Sequence, residues 1–120
     1  MDALAGDLVA LRQEEFWILP LDVQSRLIGE PRILSRGDVD GTEAGPSLVF
    51  RAALAAGAVS AIALHNHPSG EVEASAADRA VTRRLVAAGK VLDLPLVDHL
   101  IVGDGGRFTS LRRSEPDLFR

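Results

Sequence analysis

The chain of 120 residues has no cysteine. That absence excludes disulfides, thiol nucleophiles, iron–sulfur clusters and every thiolate zinc site, so any zinc here must be held by nitrogen and oxygen. Aromatic residues make up only 4%, and the apolar share of 47% is carried mainly by Ala, Val, Leu and Ile. No run approaches the roughly 20 apolar residues that a membrane span needs. The start, Met1-Asp2-Ala3-Leu4, lacks the basic region of a secretory signal. The expected location is therefore cytoplasmic. Positive charge is not in excess: 13 basic residues face 17 acidic ones, for a net charge of -4. An acidic chain gains nothing overall from phosphate attraction, which weighs against a dedicated nucleic-acid binder.

The length suits a single domain over residues 1–120, with residues 1–12 as a lead-in helix and residues 112–120 as a frayed polar tail. Glu15 to Leu21 reads as a buried strand, followed by a turn and a hairpin partner that Pro31 interrupts. Residues 37–46 read as a loop, and Pro46 opens a helix that ends at Gly57. Ala58 to Leu64 is a short apolar strand. Ser75 caps a helix that ends near Gly89, Pro95 to Val102 is a strand, and a glycine-rich turn leads to a last strand over Arg107–Leu111. Helices alternating with strands and hairpins predict an α/β domain with a mixed β-sheet flanked by helices.

The informative stretch is His65-Asn66-His67-Pro68-Ser69-Gly70, which follows the apolar strand, and Ser75-Ala76-Ala77-Asp78 beyond it. Side chains alternate along a strand, so His65 and His67 share one face, while Asn66 faces the other way and bonds backbone. Asp78 lies in the first turn of the next helix, where it can swing towards the imidazoles. Two His and one Asp give three ligands and leave a fourth position open, the pattern of a catalytic zinc site. Such a site lowers the pKa of water towards neutrality. Glu15, beside Phe16 and Trp17, is the candidate proton shuttle, with Glu14 its neighbour. The Ser75 hydroxyl is the candidate oxyanion donor, and Ser75 with Asp78 also fits a capping box. His99 reads as a hydrogen-bonded core residue rather than a ligand.

The string H-x-H-P, six residues, then S-x-x-D, with a glutamate upstream, resembles the JAMM (JAB/MPN) metalloprotease superfamily. HNHPSG, the S-x-x-D, the run TRRLVAAGKVLDLPLVDHLIVGDGG and the closing Ser110-Leu111 look more narrowly like the bacterial RadC family, over residues 13–112. The resemblance implies a JAB/MPN (cytidine deaminase-like) fold and a Zn2+ cofactor held by His65, His67 and Asp78. It further implies Ser75 assisting an oxyanion, Glu15 as acid–base group, and water-activated cleavage of a peptide or isopeptide bond, with a peptide or ubiquitin-like protein as substrate. Deaminase chemistry itself is excluded, because H-x-E…P-C-x-x-C needs cysteines. RadC proteins often carry Thr-Pro before the serine, where this chain has Glu73-Ala74. Two other readings stay open: a DNA-repair-associated module acting on or near nucleic acid, and a noncatalytic scaffold.

Overall fold

The apolar run beginning at Glu15 forms a central strand, β1 (Glu15–Leu21), buried along almost its whole length. A computed structural model of the chain describes residues 13–36 and 45–120. The lead-in helix expected over residues 1–12 and most of the loop expected over 37–46 lie outside the described residues. β1 pairs antiparallel with β2 (Arg32–Arg36) on one edge and with β3 (Ser60–Asn66) on the other. Pro46 stands at the start of α1 (Pro46–Ala55), where its missing N–H costs no helical bond, and Gly57 follows the helix with φ of 75°.

β4 (Leu96–Val102) runs parallel to β3. A parallel pair needs a crossover, and α2 (Ala76–Leu92) supplies it. β5 (Phe108–Ser110) closes the order β2-β1-β3-β4-β5 as an antiparallel hairpin with β4. The architecture is the expected mixed sheet flanked by helices. On one face, Phe16, Ile18, Ala61 and Ala63 pack with Val49, Phe50 and Ala53 of α1 and Leu85 and Val86 of α2. On the other, Leu19, Leu64, Leu100 and Val102 form a second cluster, with Trp17 and Ile62 at its margin. Among the described residues, no helix is long and apolar enough to cross a membrane.

The structure departs from the sequence reading in four places. The expected return of the first hairpin over Arg26–Ile28 is a single bridge between Leu27 and Leu21, and pairing resumes only after Pro31. β3 starts two residues later than expected, at Ser60. α2 runs through Gly89 to Leu92, and Asp93 caps it in the left-handed region. Gly89 is there for close approach rather than termination: a Cβ on it would lie 2.6 Å from the Leu94 carbonyl oxygen. The polar tail is folded rather than frayed. Leu111–Ser114 forms a short helix, α3, and Pro116–Phe119 a 3-10 turn. Leu118 is buried with Leu111 and Ile101, and Glu115 accepts a hydrogen bond from Arg79 Nε at 2.8 Å. Two apolar residues and one ion pair offset the cost of ordering this segment, although such a pair is too short to leave a periodic signal.

Candidate metal centre

β3 delivers His65 and His67 to one side of its C-terminal end, the side that carries α2. His65 stands opposite Phe16 in the β1 pairing. The two rings stack at 5.8 Å between centroids with an interplanar angle of 11°, which fixes the plane of the imidazole. A turn closed by the Gly70 N–H donating to the His67 carbonyl at 2.9 Å carries the chain off the sheet. That turn is pressed against the loop after β4: a Cβ on Gly103 would collide with the Gly70 carbonyl oxygen. The Arg107 guanidinium donates to that same carbonyl at 3.1 Å.

The chain then enters α2 through a capping box. The Asp78 N–H donates to Ser75 Oγ at 3.1 Å, and the Ser75 N–H donates to Asp78 Oδ2 at 2.9 Å. This cap aims the Asp78 carboxylate at the histidines. Asp78 Oδ1 lies 3.0 Å from His65 Nε2, and Asp78 Oδ2 lies 3.0 Å from His67 Nε2. The two Nε2 atoms are 3.1 Å apart.

Ligand atoms held about 2.0–2.1 Å from a tetrahedral zinc lie about 3.3 Å from one another. The two imidazole nitrogens are within a few tenths of an ångström of that spacing, and each has one Asp78 carboxylate oxygen at a similar distance. His65, His67 and Asp78 therefore form a group that can hold a metal ion, with a donor set of two imidazoles and a carboxylate. The electrostatics agree. Burial opposes charge on Asp78, but hydrogen bonds from His65 and His67 outweigh it and hold the carboxyl well below the usual carboxylate range. The hydrogen bond to Asp78 raises the His67 pKa against partial burial, and the Glu14 charge adds to the rise. Both shifts arise from the close contact of the Asp78 carboxylate with the two imidazoles.

Behind it stands His99, fully buried on β4. Its Nε2 is 2.8 Å from His65 Nδ1, and its Nδ1 is 2.6 Å from Thr82 Oγ1. Burial, with the His65 charge nearby, pushes the His99 pKa well down, so the ring is neutral. The sequence reading placed His99 in a hydrogen-bonded core and passed over Thr82. The one available signal was a threonine on the otherwise apolar face of α2 formed by Leu85, Val86 and Gly89.

The proposed proton shuttle is where structure and expectation part. Phe16 is the residue that pairs with His65, so Glu15, one position earlier, turns to the far side of the sheet. Its N–H donates to Asn66 Oδ1 at 2.8 Å, and its Oε2 accepts from Arg36 Nε at 2.7 Å. Among the described residues, Glu15 Oε1 and the Trp17 indole N–H are buried there with no hydrogen-bond partner. Glu14 instead lines the pocket in front of His65 and Asp78, with Phe16, Ala77, Val81 and His99. Asn66 bonds backbone as expected, its Nδ2 donating to the Gln13 carbonyl at 2.8 Å. Ser75 is exposed, and its hydroxyl oxygen is used as an acceptor.

Comparison with known proteins finds a matching family and several relatives. The family model of the RadC-like JAB domain matches residues 1–116. A UPF0758 protein of Acaryochloris marina is 46% identical over 112 residues, covering 93% of this chain and 45% of the relative. One from Cyanothece sp. matches to the same extent. A third, from Flavobacterium johnsoniae, is 42% identical over 92 residues, 77% of this chain and 40% of the relative. The chain thus spans a little under half the length of the curated relatives it matches.

Proposed function

The chain belongs to the RadC-like JAB domain family, and on that premise we propose that it is a zinc-dependent hydrolase cleaving a peptide or isopeptide bond. The observation that carries the reading is the convergence of His65 Nε2 and His67 Nε2, 3.1 Å apart, on the Asp78 carboxylate, each nitrogen 3.0 Å from one of its two oxygens. In this reading these three residues hold Zn2+. When bound with an open coordination position, zinc lowers the pKa of water towards neutrality and polarises a carbonyl.

The chain's own groups supply the rest. Glu14, at the pocket mouth, takes the place that the sequence reading gave to Glu15. It accepts a proton from the attacking water and returns it to the departing amine. Ser75 accepts the Asp78 N–H at its oxygen, so its O–H remains available to donate to an oxyanion. Phe16, Val81 and Ala77 line the pocket with apolar groups that exclude solvent from the reacting carbonyl. The balance is that of hydrolysis: the C–N bond breaks, the water oxygen stays on the acyl carbon, one water proton reaches the departing amine through Glu14, and the other is released when the new acid ionises to a carboxylate. The substrate is a peptide or the tail of a ubiquitin-like protein.

The test is metal analysis of the purified chain with turnover on a panel of peptide and isopeptide substrates. One zinc per chain, lost in His65→Ala and Asp78→Asn together with cleavage, is the expected result. Cleavage that survives loss of the metal would overturn the proposal.

A further inference from the structure

A closed chain of hydrogen bonds runs behind the metal centre, and one group in it has no choice of role. The Asp78 main-chain carbonyl can only accept, so the Thr82 hydroxyl at 2.8 Å donates its hydrogen there. Thr82 Oγ1 then offers only lone pairs to His99 Nδ1 at 2.6 Å, and the hydrogen of that contact belongs to His99. A neutral imidazole that carries its proton on Nδ1 has a bare Nε2. That bare nitrogen sits 2.8 Å from His65 Nδ1, which must therefore donate. With a hydrogen kept at Nδ1, His65 can give up the Nε2 hydrogen that bridges to Asp78 Oδ1 at 3.0 Å, and a cation shared with His67 and Asp78 would take its place on the Nε2 lone pair. Run in the opposite sense, the same contacts would leave His65 with an N–H at Nε2, which cannot ligate.

We propose that Thr82 and His99 are positioning residues that select the metal-binding tautomer of His65, with the Thr82 hydroxyl, anchored on the Asp78 carbonyl, setting the direction of the whole chain. The proposal rests on the metal reading of His65, His67 and Asp78. Both ends of the device lie on one helical turn: Asp78 gives its carboxylate to the site and its carbonyl to Thr82. The placement of Thr82 is unusual enough to need a reason. It is fully buried, and a threonine that bonds back to the i−4 carbonyl mildly weakens its own helix. Valine would fill the same volume without that cost. Partners of this kind behind a ligating histidine fix ring orientation and raise ligand basicity, and their loss costs about 10–100-fold in metal affinity.

The experiment uses the full chain, zinc titrations and nitrogen-15 spectra of the histidine rings. In the metal-free wild type, His99 is expected to carry its proton on Nδ1 and none on Nε2. Thr82→Val, close to isosteric, should weaken zinc binding by about 10–100-fold, and Thr82→Ser, which keeps the hydroxyl, should restore it. A wild type that binds no zinc overturns the metal reading and this inference with it. A His99 proton on Nε2 in the wild type, or unchanged zinc affinity in Thr82→Val of a chain that does bind zinc, overturns this inference alone. The wild-type spectrum decides the matter even if Thr82→Val does not fold.

Discussion

Two consecutive glutamates stand at the start of β1, Glu14 just before the strand and Glu15 as its first residue, and meet different fates. Glu14 turns to the face that carries α2 and joins the pocket of His65 and Asp78. Glu15 turns to the opposite face, where its carboxylate is fully buried against Arg36. Composition is the same and position differs by one residue, so the period-two alternation of the strand alone decides which carboxylate faces the cation pocket. The comparison also separates two settings of charge: on the helix side it lies beside a group that can hold a metal ion, and on the far side it ties the edge strand β2 to its neighbour.

The largest expected effect separates the pair directly. Glu14→Gln should retain zinc and lose turnover by about 10²–10⁴-fold, the range for removal of a general base, while Glu15→Gln keeps turnover. Turnover and zinc content measured on both variants decide it, and the reverse result would put the far-face glutamate in the reaction. Next in size is Arg36→Ala, which strands the Glu15 carboxylate. Breaking a fully buried pair costs about 3–5 kcal/mol, and solvent on the Arg36 side reduces this to about 2 kcal/mol, readable by urea denaturation.

A third effect concerns pH in the chelator-treated, metal-free chain. The His67 pKa is raised by Asp78, so its stabilising share is complete below the unfolded value of about 6.5 and is lost as pH rises through the folded one. The Asp78 pKa is lowered, so its share is present above about 3.9 and fades as pH falls towards the folded value. Metal-free stability should therefore fall as pH rises above about 6.5. Asp78→Asn should flatten that slope in denaturation curves taken across that range. The smallest effect is at the tail. Glu115→Ala removes a partly exposed ion pair with Arg79 and should cost about 0.5 kcal/mol.

How much was legible in the sequence follows from the range of each interaction. His65 and His67 share a face because they sit at i and i+2 of one strand, and Asp78 reaches them because a capping box is a local motif. Both facts are available from neighbours in the chain. The opposed orientation of Asn66 follows by the same parity. The parity of Glu14 against Glu15 needed the register of β1 on β3, which only pairing over 51 residues between Glu15 and Asn66 supplies. The contact from His65 to His99 to Thr82 joins β3, β4 and α2, and no spacing rule connects three elements. The tail packs through Leu118 and Phe119, too few apolar residues to announce a helix. Gly89 was read as a stop signal because the close approach of Leu94 that requires a glycine is tertiary.

The capping box of α2 has a consequence for motion. Its Asp78 Oδ2 serves the Ser75 N–H and the cation pocket at once. The first turn of the helix therefore cannot fray without opening the pocket, and an ion held by Asp78 would oppose that fraying. Amide hydrogen exchange at Ser75 and Asp78 becomes a gauge of occupancy, slow when an ion is held and faster after chelation, on a helix whose later turns stay protected throughout.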